Sequence, residues 1–397
     1  MGKNCHGQVI LCWTAVFFEE WILCQEKALQ RVPTKRARKP RDRFLSNPSL
    51  LEEHPVEFQR IRLSSIWLPR ATLAVLLAQT RSTAQDIYHV VDGLYVTKTF
   101  TEKSLRSAFS YKPTDEDVFI VGYPKCGTTW LQFIVYSIYT GGAGGLPSVT
   151  ECQKTMAFLE ISGAEGAMSI QRPGIIKTHL PFHLQPYSAK SKYIYVARNP
   201  YDCCVSFYHH MKCRPRYGFQ DGTFDQFLDM FVRGEVDFGD YFDHLLSWYE
   251  HRGDPNVLFL TYEDVKKDTA GWISRIADFL GKEEYGNEMR EQPSVLDNVV
   301  ELTSFQNMKG INEQFRNWPL ELEALPDETL TEATRSTREG PGDSIKQPPT
   351  KDHIRKGIVG DWKNHFSPEQ IARMKKRIAL KTHGSDVMSL WKDTDIP

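Results

Sequence analysis

A turn that could bind an anion is the clearest chemical feature of the sequence, and it begins at Gly122. Apolar, β-branched residues precede it and a helical pattern follows it, so it should join a buried strand to the start of a helix. The first N–H groups of a helix lack partners inside the helix, and with the helix dipole they attract anions. Gly127 lets the backbone approach a phosphate closely, while Thr128 and Thr129 add hydroxyl donors. Lys125 adds a positive charge on a flexible stem.

This turn resembles a P-loop but differs from the Walker A pattern GxxxxGK[ST]. Thr128 stands where that pattern has lysine, and Lys125 lies inside the loop instead. A later strand ends in Arg198, not in the Walker B aspartate that helps to hold Mg²⁺. These differences disfavour a Mg²⁺-dependent triphosphatase or kinase, although a P-loop kinase for a small molecule stays open as an alternative.

Arg198 could bind a second phosphate, since it follows a predicted strand and Ser206 lies eight residues after it. The guanidinium fork donates two parallel hydrogen bonds, which suits the oxygens of a phosphate. Arginines at strand ends are commonly salt-bridged, so this pair is only a moderate indication when it is taken alone.

Four stretches of the chain resemble the signature motifs of the cytosolic sulfotransferases. They are YPKCGTTW at 123–130, KTHLP at 177–181, RNPYDCCVS at 198–206 and RKGIVGDWKNHF at 355–366. Two shorter matches are TYED at 261–264 and LTSF at 302–305. The resemblance implies an α/β fold in which helices cover both faces of a P-loop-like parallel sheet. It also implies a cytoplasmic enzyme that takes the sulfuryl group from 3′-phosphoadenosine-5′-phosphosulfate (PAPS) and releases 3′,5′-ADP (PAP).

The resemblance assigns roles to individual residues. Those expected to bind the donor are Lys125, Cys126, Gly127, Thr128, Thr129, Trp130, Arg198, Ser206, Tyr262, Thr303, Ser304, Phe305, Met308, Arg355, Lys356 and Gly357. Residues 125–130 correspond to the 5′-phosphosulfate loop, and the 3′-phosphate falls to Arg198, Ser206 and 355–357. His179 is the expected general base, with Lys125 as the second catalytic residue. Lys177, Phe158 and Phe207 are expected at the acceptor.

These residue types suit sulfuryl transfer, in which a tetrahedral group passes in line between two oxygens. The acceptor hydroxyl must lose its proton, and a histidine has a pKa close enough to neutrality to take it. Lys125 could neutralise the charge that develops on the leaving group. The transferred group carries a single charge, so no metal ion is expected, and the sequence has no pattern of metal ligands.

The elements that must position these residues read as alternating strands and helices. Short apolar strands are predicted at Asp117–Gly122, Ile175–Lys177, Tyr193–Ala197 and Val257–Thr261, and a helix at Thr128–Tyr139. Strands that are apolar throughout indicate a parallel sheet covered on both faces. The sulfotransferase domain is expected to span 86–397.

Two tracts fall outside this pattern. Residues 1–85 are predicted to be a poorly ordered extension, and they include a basic run at 31–43. An apolar run at 9–18 is too short to cross a membrane, so no membrane association is expected. Residues 321–352 are polar and contain no aromatic residue, which predicts a mobile insertion.

Composition narrows the possible partners. The net charge of −1 gives no indication of nucleic-acid binding, and the eight cysteines have an irregular spacing that favours free thiols. We expect a small acceptor, phenolic or alcoholic or an amine, against apolar walls. A non-catalytic PAPS-binding protein is the other alternative, and the intact set Lys125, His179, Arg198 and Ser206 argues against it.

The oligomeric state is uncertain because the family's usual dimer motif, KxxxTVxxxE, is degraded. Lys363 is present, but Ser367 and Pro368 replace the threonine and valine, and Ala372 replaces the glutamate.

Overall fold

The computed structural model of the chain describes residues 60–63, 66–69, 87–330, 334–335, 338 and 349–397. The apolar run at 9–18, the basic run at 31–43 and most of the expected extension lie outside the described residues. Most of 331–348 also lies outside them. The chain divides into two units, Met1–Arg70 and Ala71–Pro397. In the first unit the described residues form an antiparallel hairpin of strands β1 and β2, which are Arg60–Leu63 and Ile66–Pro69.

A five-stranded sheet, parallel at every pairing, is the centre of the second unit. Its strands are β5 (Val118–Val121), β6 (Met156–Phe158), β7 (Ile175–Thr178), β8 (Lys192–Ala197) and β9 (Val257–Thr261). The spatial order is β6-β7-β5-β8-β9. The four predicted strands are confirmed, and the short edge strand β6 is an addition. Because all strands run one way, their carboxyl ends meet at a single edge, where the sites of such sheets lie.

Helices occupy most of the remaining described chain. They are α1 (Glu102–Ser110), α2 (Thr128–Tyr139), α3 (Val149–Thr155), α4 (Leu159–Ser169), α5 (Pro200–Cys213), α6 (Phe224–Arg233), α7 (Tyr241–Tyr249), α8 (Tyr262–Lys267), α9 (Thr269–Gly281), α10 (Asn287–Glu291), α11 (Pro293–Leu302), α12 (Phe305–Ala324) and α13 (Pro368–Lys381). Helix α2 has the predicted bounds. None of the helices in the described ranges is long and apolar enough to span a membrane.

An antiparallel hairpin begins the described part of the second unit. Its strands are β3 (Tyr88–Val91) and β4 (Leu94–Thr97), and Asp92 and Gly93 form the two-residue turn. Both turn residues have positive φ, as an Asp-Gly turn of this length requires. The hairpin matters for the site because Thr97, at its end, binds Asp237.

The beginning of the predicted insertion is helical. Helix α12 continues to Ala324, so residues 321–324 are not irregular as expected. Glutamate, leucine and alanine are good helix formers, and the preceding helix already provides the nucleus that a new helix would need. A 3₁₀ turn, Asp327–Thr329, follows, and Arg338 donates to Leu325 O at 3.0 Å.

Candidate functional site

A cavity of about 520 Å³ opens at the carboxyl ends of β5, β7 and β8. All but one of the residues predicted for the donor, and all those predicted for catalysis and the acceptor, line it. The exception is Cys126. The lining residues to which the sequence assigned no role are Phe100, Pro124, Arg214, Arg216, Tyr217, Asp237, Phe238, Lys266, Thr269, Val300, His353, Ile354 and Ile358.

The anion turn has a backbone shaped for close approach. Gly127 precedes α2 with φ +117°, and a Cβ there would lie 2.9 Å from a ring carbon of Tyr262. A Cβ on Gly122 would lie 2.6 Å from the carbonyl oxygen of Val196. Only glycine fits both positions without displacing a neighbour. No side chain of the described residues caps the start of α2, so its first N–H groups face the cavity beside Thr128 and Thr129.

Cys126 is not among the residues that line the cavity, and its expected contact with the donor stays a prediction. Its side chain is buried and its Sγ lies 3.8 Å from that of Cys203. Its N–H already donates to the carbonyl oxygen of Tyr123, at 3.2 Å. Burial raises the pKa of the thiol well above its ordinary value, so the residue packs as a small apolar group.

Arg198 connects the anion turn to the C-terminal motif. Its guanidinium lies 4.4 Å from the ring centre of Tyr262 and donates to the carbonyl oxygens of Lys125 at 3.3 Å and Ile358 at 3.1 Å. Its buried Nε has no partner among the described residues. An unpaired buried donor is costly, which indicates that an anion completes the arginine. Ser206 lines the same cavity from α5.

The C-terminal motif is held by two buried aspartates. Asp202, on α5, accepts from the backbone N–H groups of Gly360 at 2.7 Å and Trp362 at 2.9 Å. Asp361 accepts from Arg355 at 2.6 Å and Lys356 at 2.7 Å. Burial opposes the charge of Asp361, but hydrogen bonds from Lys356, Asn364 and Arg355 hold its pKa below the usual range.

Gly357, in the same motif, has φ +63°, and a Cβ there would come within 2.4 Å of the ring of Phe305. The segment 355–358 therefore lies directly against the start of α12. Trp130, from the anion turn, donates its indole N–H to the carbonyl oxygen of Thr303 at 2.8 Å. These contacts place the anion turn, the start of α12 and the 355–358 segment side by side along one wall of the cavity.

His179 directly follows β7, and hydrogen bonds fix both its ring and its backbone. Its Nδ1 bonds to the carbonyl oxygen of Gly122, the first residue of the anion turn, so Nδ1 is the protonated nitrogen. The backbone N–H of His179 donates to the carboxylate of Glu160. The backbone carbonyl oxygen of His179 accepts a hydrogen bond from Nε2 of His244 at 3.0 Å. Burial, followed by the charge of Lys177, lowers its pKa well below 6.5. The ring is therefore neutral at neutral pH, with Nε2 able to accept a proton.

Two lysines share the cavity and are short of negative partners. Burial, reinforced by the charges of Arg214 and Lys177, lowers the pKa of Lys125 to about 7. Burial is also the main cause that lowers the pKa of Lys177 to about 8, and its Nζ lies 4.3 Å from the ring centre of Phe158. Each ammonium would be stabilised by an anion in the cavity.

Aromatic rings pack around His179. The ring centres of Phe158 and Phe238 lie 5.3 and 5.2 Å from that of His179, and Phe100 contacts both phenylalanines. Phe238 has φ +68°, and Lys125 has φ +73°. Besides Asp92, these are the only non-glycine residues with positive φ in the described ranges, and both line the cavity.

Metal ligands do not gather here. Across the described residues, no group of three or more His, Cys, Asp or Glu side chains could hold a metal ion. Among the described histidines, His179, His210 and His353 line the cavity.

The parallel sheet, the anion turn and the second anion-binding arginine define a P-loop-like transferase that acts on a phosphorylated ligand. The family model for the sulfotransferase domain matches residues 115–386. The chain therefore belongs to the sulfotransferase family. The predicted family, fold class and enzyme class, a sulfotransferase that uses PAPS as donor, are confirmed at this level.

Similar proteins cover most of the domain. Human sulfotransferase 1C2 is 33% identical over 292 residues, which are 70% of this chain and 87% of that protein. Rabbit amine sulfotransferase is 33% identical over 297 residues, 74% of this chain and 89% of that protein. The crystal structure of mouse sulfotransferase SULT7A1 complexed with PAP is 29% identical with a TM-score of 0.58, and covers 77% of this chain and 99% of that one.

Proposed function

We propose that the chain transfers the sulfuryl group of PAPS to the hydroxyl or amine of a small, apolar acceptor, with His179 as general base. The hydrogen bond from His179 to Gly122 O carries the proposal. It joins the candidate base directly to the anion turn, while the ring centres of Phe158 and Phe238 lie 5.3 and 5.2 Å from that of the histidine. The base thus lies between a site for a phosphorylated donor and an apolar site for an acceptor.

The residues present fit PAPS. Residues 125–129 would hold the 5′-phosphosulfate through backbone N–H groups, hydroxyls and Lys125. Arg198, Ser206 and 355–357 would hold the 3′-phosphate, and the unpaired Nε of Arg198 is the observation that favours this. The nucleoside would lie among the side chains from α2, α8 and α12 that line the cavity, which are Trp130, Tyr262, Phe305 and Met308.

PAPS supplies a sulfuryl group on a nucleotide phosphate that leaves as an anion. His179 takes the acceptor proton at Nε2, because Nδ1 is engaged by Gly122. Lys125, at the anion turn, stabilises the charge that grows on the departing phosphate. The phenylalanines exclude water beside His179, which strengthens both electrostatic effects.

The proposal is tested by comparing donors. Purified protein should bind PAP without added metal and should sulfate a simple phenol with PAPS. The anion turn lacks the Walker A lysine, and Arg198 follows β8 in place of the Walker B aspartate. Binding is measured by calorimetry and transfer by mass spectrometry. Metal-dependent binding of ATP, with no affinity for PAP and no transfer from PAPS, would instead support a small-molecule kinase.

A second prediction is that PAP binding changes the protonation of Lys125. Burial lowers the pKa of Lys125 to about 7, and a bound anion must raise it. Below pH 7 the amine is protonated with or without ligand, so binding does not depend on pH through this residue. Above pH 7 PAP binding should take up a proton, and its affinity should fall as pH rises.

Calorimetry at pH 8 in buffers of different ionisation enthalpy measures this uptake directly. Lys125→Met should reduce it, and Lys190→Met is the control, because this exposed lysine pairs with Asp115 and does not line the cavity. The assignment would be contradicted if PAP binding to the wild-type protein released protons, or if it neither took up nor released any.

A cytoplasmic location is part of the same proposal, and the motifs that resemble those of the cytosolic sulfotransferases support it.

A further inference from the structure

The acceptor half of the cavity is lined by positive charge. Arg214 follows α5, Arg216 lies in the 3₁₀ turn after it, and Lys177 projects from β7. All three line the cavity together with the phenylalanines beside His179. Purely apolar acceptors would need none of these charges, and burying a cation without a partner is expensive.

Neither arginine forms a close ion pair among the described residues. In the part of the chain that the structure describes, neither has a carboxylate oxygen within 4.0 Å, and the buried Nε of each has no hydrogen-bond partner. Arg216 donates to the hydroxyl of Tyr217 at 3.2 Å, and Arg214 lies 3.4 Å from Nδ1 of His353. Burial, followed by the charge of Arg216, lowers the pKa of Arg214 to about 10.

Asp237 is the only acidic residue among those that line the described cavity, and its oxygens are engaged elsewhere. It accepts from the backbone N–H of Thr97 and from the hydroxyl of Tyr217, each at 2.6 Å. Asp237 makes no hydrogen bond to Arg216, although the two charges attract each other at longer range. One aspartate facing Arg214, Arg216 and Lys177 leaves the acceptor half with a positive excess.

Arg216 lies apart from the charges expected to bind PAPS. The donor wall has the anion turn, Arg198 and the 355–358 segment. Arg216 instead lies beside Tyr217 and Asp237, next to the hairpin of β3 and β4. A phosphate on the donor wall would not need it.

We propose that the acceptor carries a carboxylate in addition to the group that is sulfated. This rests on the proposed function. The apolar body of the acceptor lies against Phe100, Phe158 and Phe238, with its hydroxyl at His179. The carboxylate is bound by Arg214 and Arg216, whose forks suit its two oxygens. A protonated amine at the same position is repelled.

The test uses an acid and its neutral ester, 3-(4-hydroxyphenyl)propanoate and its methyl ester, which present the same phenol to His179. With PAPS, kcat/KM should be higher for the acid by tenfold or more, since one charged hydrogen-bond pair contributes at least this much. Tyramine, with an ammonium in the same place, should be the poorest of the three.

Variants show whether the arginines cause the preference. Arg214→Gln and Arg216→Gln should each lower kcat/KM for the acid more than for the ester, mainly through KM, so that the ratio falls towards one. Arg233→Gln is the control, because this arginine is exposed on α6 and pairs with Glu235. It should leave the ratio unchanged.

Calorimetry with PAP present measures binding of the acid and the ester independently of turnover. Tighter binding of the acid supports the inference. Equal or tighter binding of the ester, or variants that weaken both compounds equally, would overturn it. Failure of PAPS to support transfer to any acceptor overturns the proposed function instead, and the binding comparison still tests the arginines.

Discussion

His179→Ala should lower kcat by about 10²–10⁴-fold, the usual contribution of a general base, while PAP binding stays nearly unchanged. The histidine lines the cavity but lies outside the segments expected to hold the donor phosphates. Turnover of an alcohol or a simple phenol is measured alongside calorimetric binding of PAP. Thermal unfolding of the variant shows whether the loss of the Gly122 contact has altered the fold.

The chemistry of the acceptor provides an internal control. An acceptor that is already ionised at neutral pH, such as a nitrophenol, should depend much less on His179 because no proton needs to be removed. Burial keeps the pKa of this histidine well below 6.5, so activity should decline only at pH values below that. His251→Ala is the control, because the ring of His251 stacks on Phe182 and does not line the cavity. This variant should retain full activity. Full activity of His179→Ala on an aliphatic alcohol would refute the mechanism.

Arg198→Gln should weaken binding of PAP by about 10- to 150-fold, which corresponds to about 1.5–3 kcal/mol for a charged hydrogen bond. Binding of 5′-AMP, which lacks the 3′-phosphate, should change far less. Both affinities are measured by calorimetry at one ionic strength.

Arg252→Gln is the matched control, because Arg252 also stacks on a tyrosine, at 3.8 Å from the ring centre of Tyr249, and does not line the cavity. It should leave both affinities unchanged. If Arg198→Gln weakens PAP and 5′-AMP equally, the arginine only supports the carbonyl groups of Lys125 and Ile358, and its assignment to the 3′-phosphate is wrong.

The donor wall could be predicted because its residues lie in short, local motifs. The strand, turn and helix around Gly127 follow from apolar periodicity and from glycine positions, so α2 was predicted with its observed bounds. The direction of Cys126 could not be predicted, since a turn motif specifies the backbone path but not which side chains face outward.

The acceptor half could be predicted only in part. Phe158 and Phe207 came from the family resemblance, whereas Phe100, Phe238 and Arg216 lie on separate loops that meet only in the folded chain. No local pattern marks such residues, because long-range packing brings them together. The end of α12 was missed for a different reason: a polar sequence resembles a loop even when its residues favour a helix.

The residues at the degraded dimer motif stabilise the structure around them within the same chain. Ser367 caps α13, accepting from the N–H of Gln370, and Pro368 occupies the first turn, where its missing N–H costs nothing. Lys363 forms an ion pair with Asp395.

The left-handed backbone at Lys125 and Phe238 has a consequence for engineering the protein. A side chain in this conformation costs about 1–2 kcal/mol, a cost that glycine avoids. Mutations selected only for heat resistance should therefore tend to replace these two residues, and each replacement removes a group that faces the cavity. Screens for stable variants of this domain need to assay turnover in parallel, since activity and thermal stability favour opposite residues at these positions.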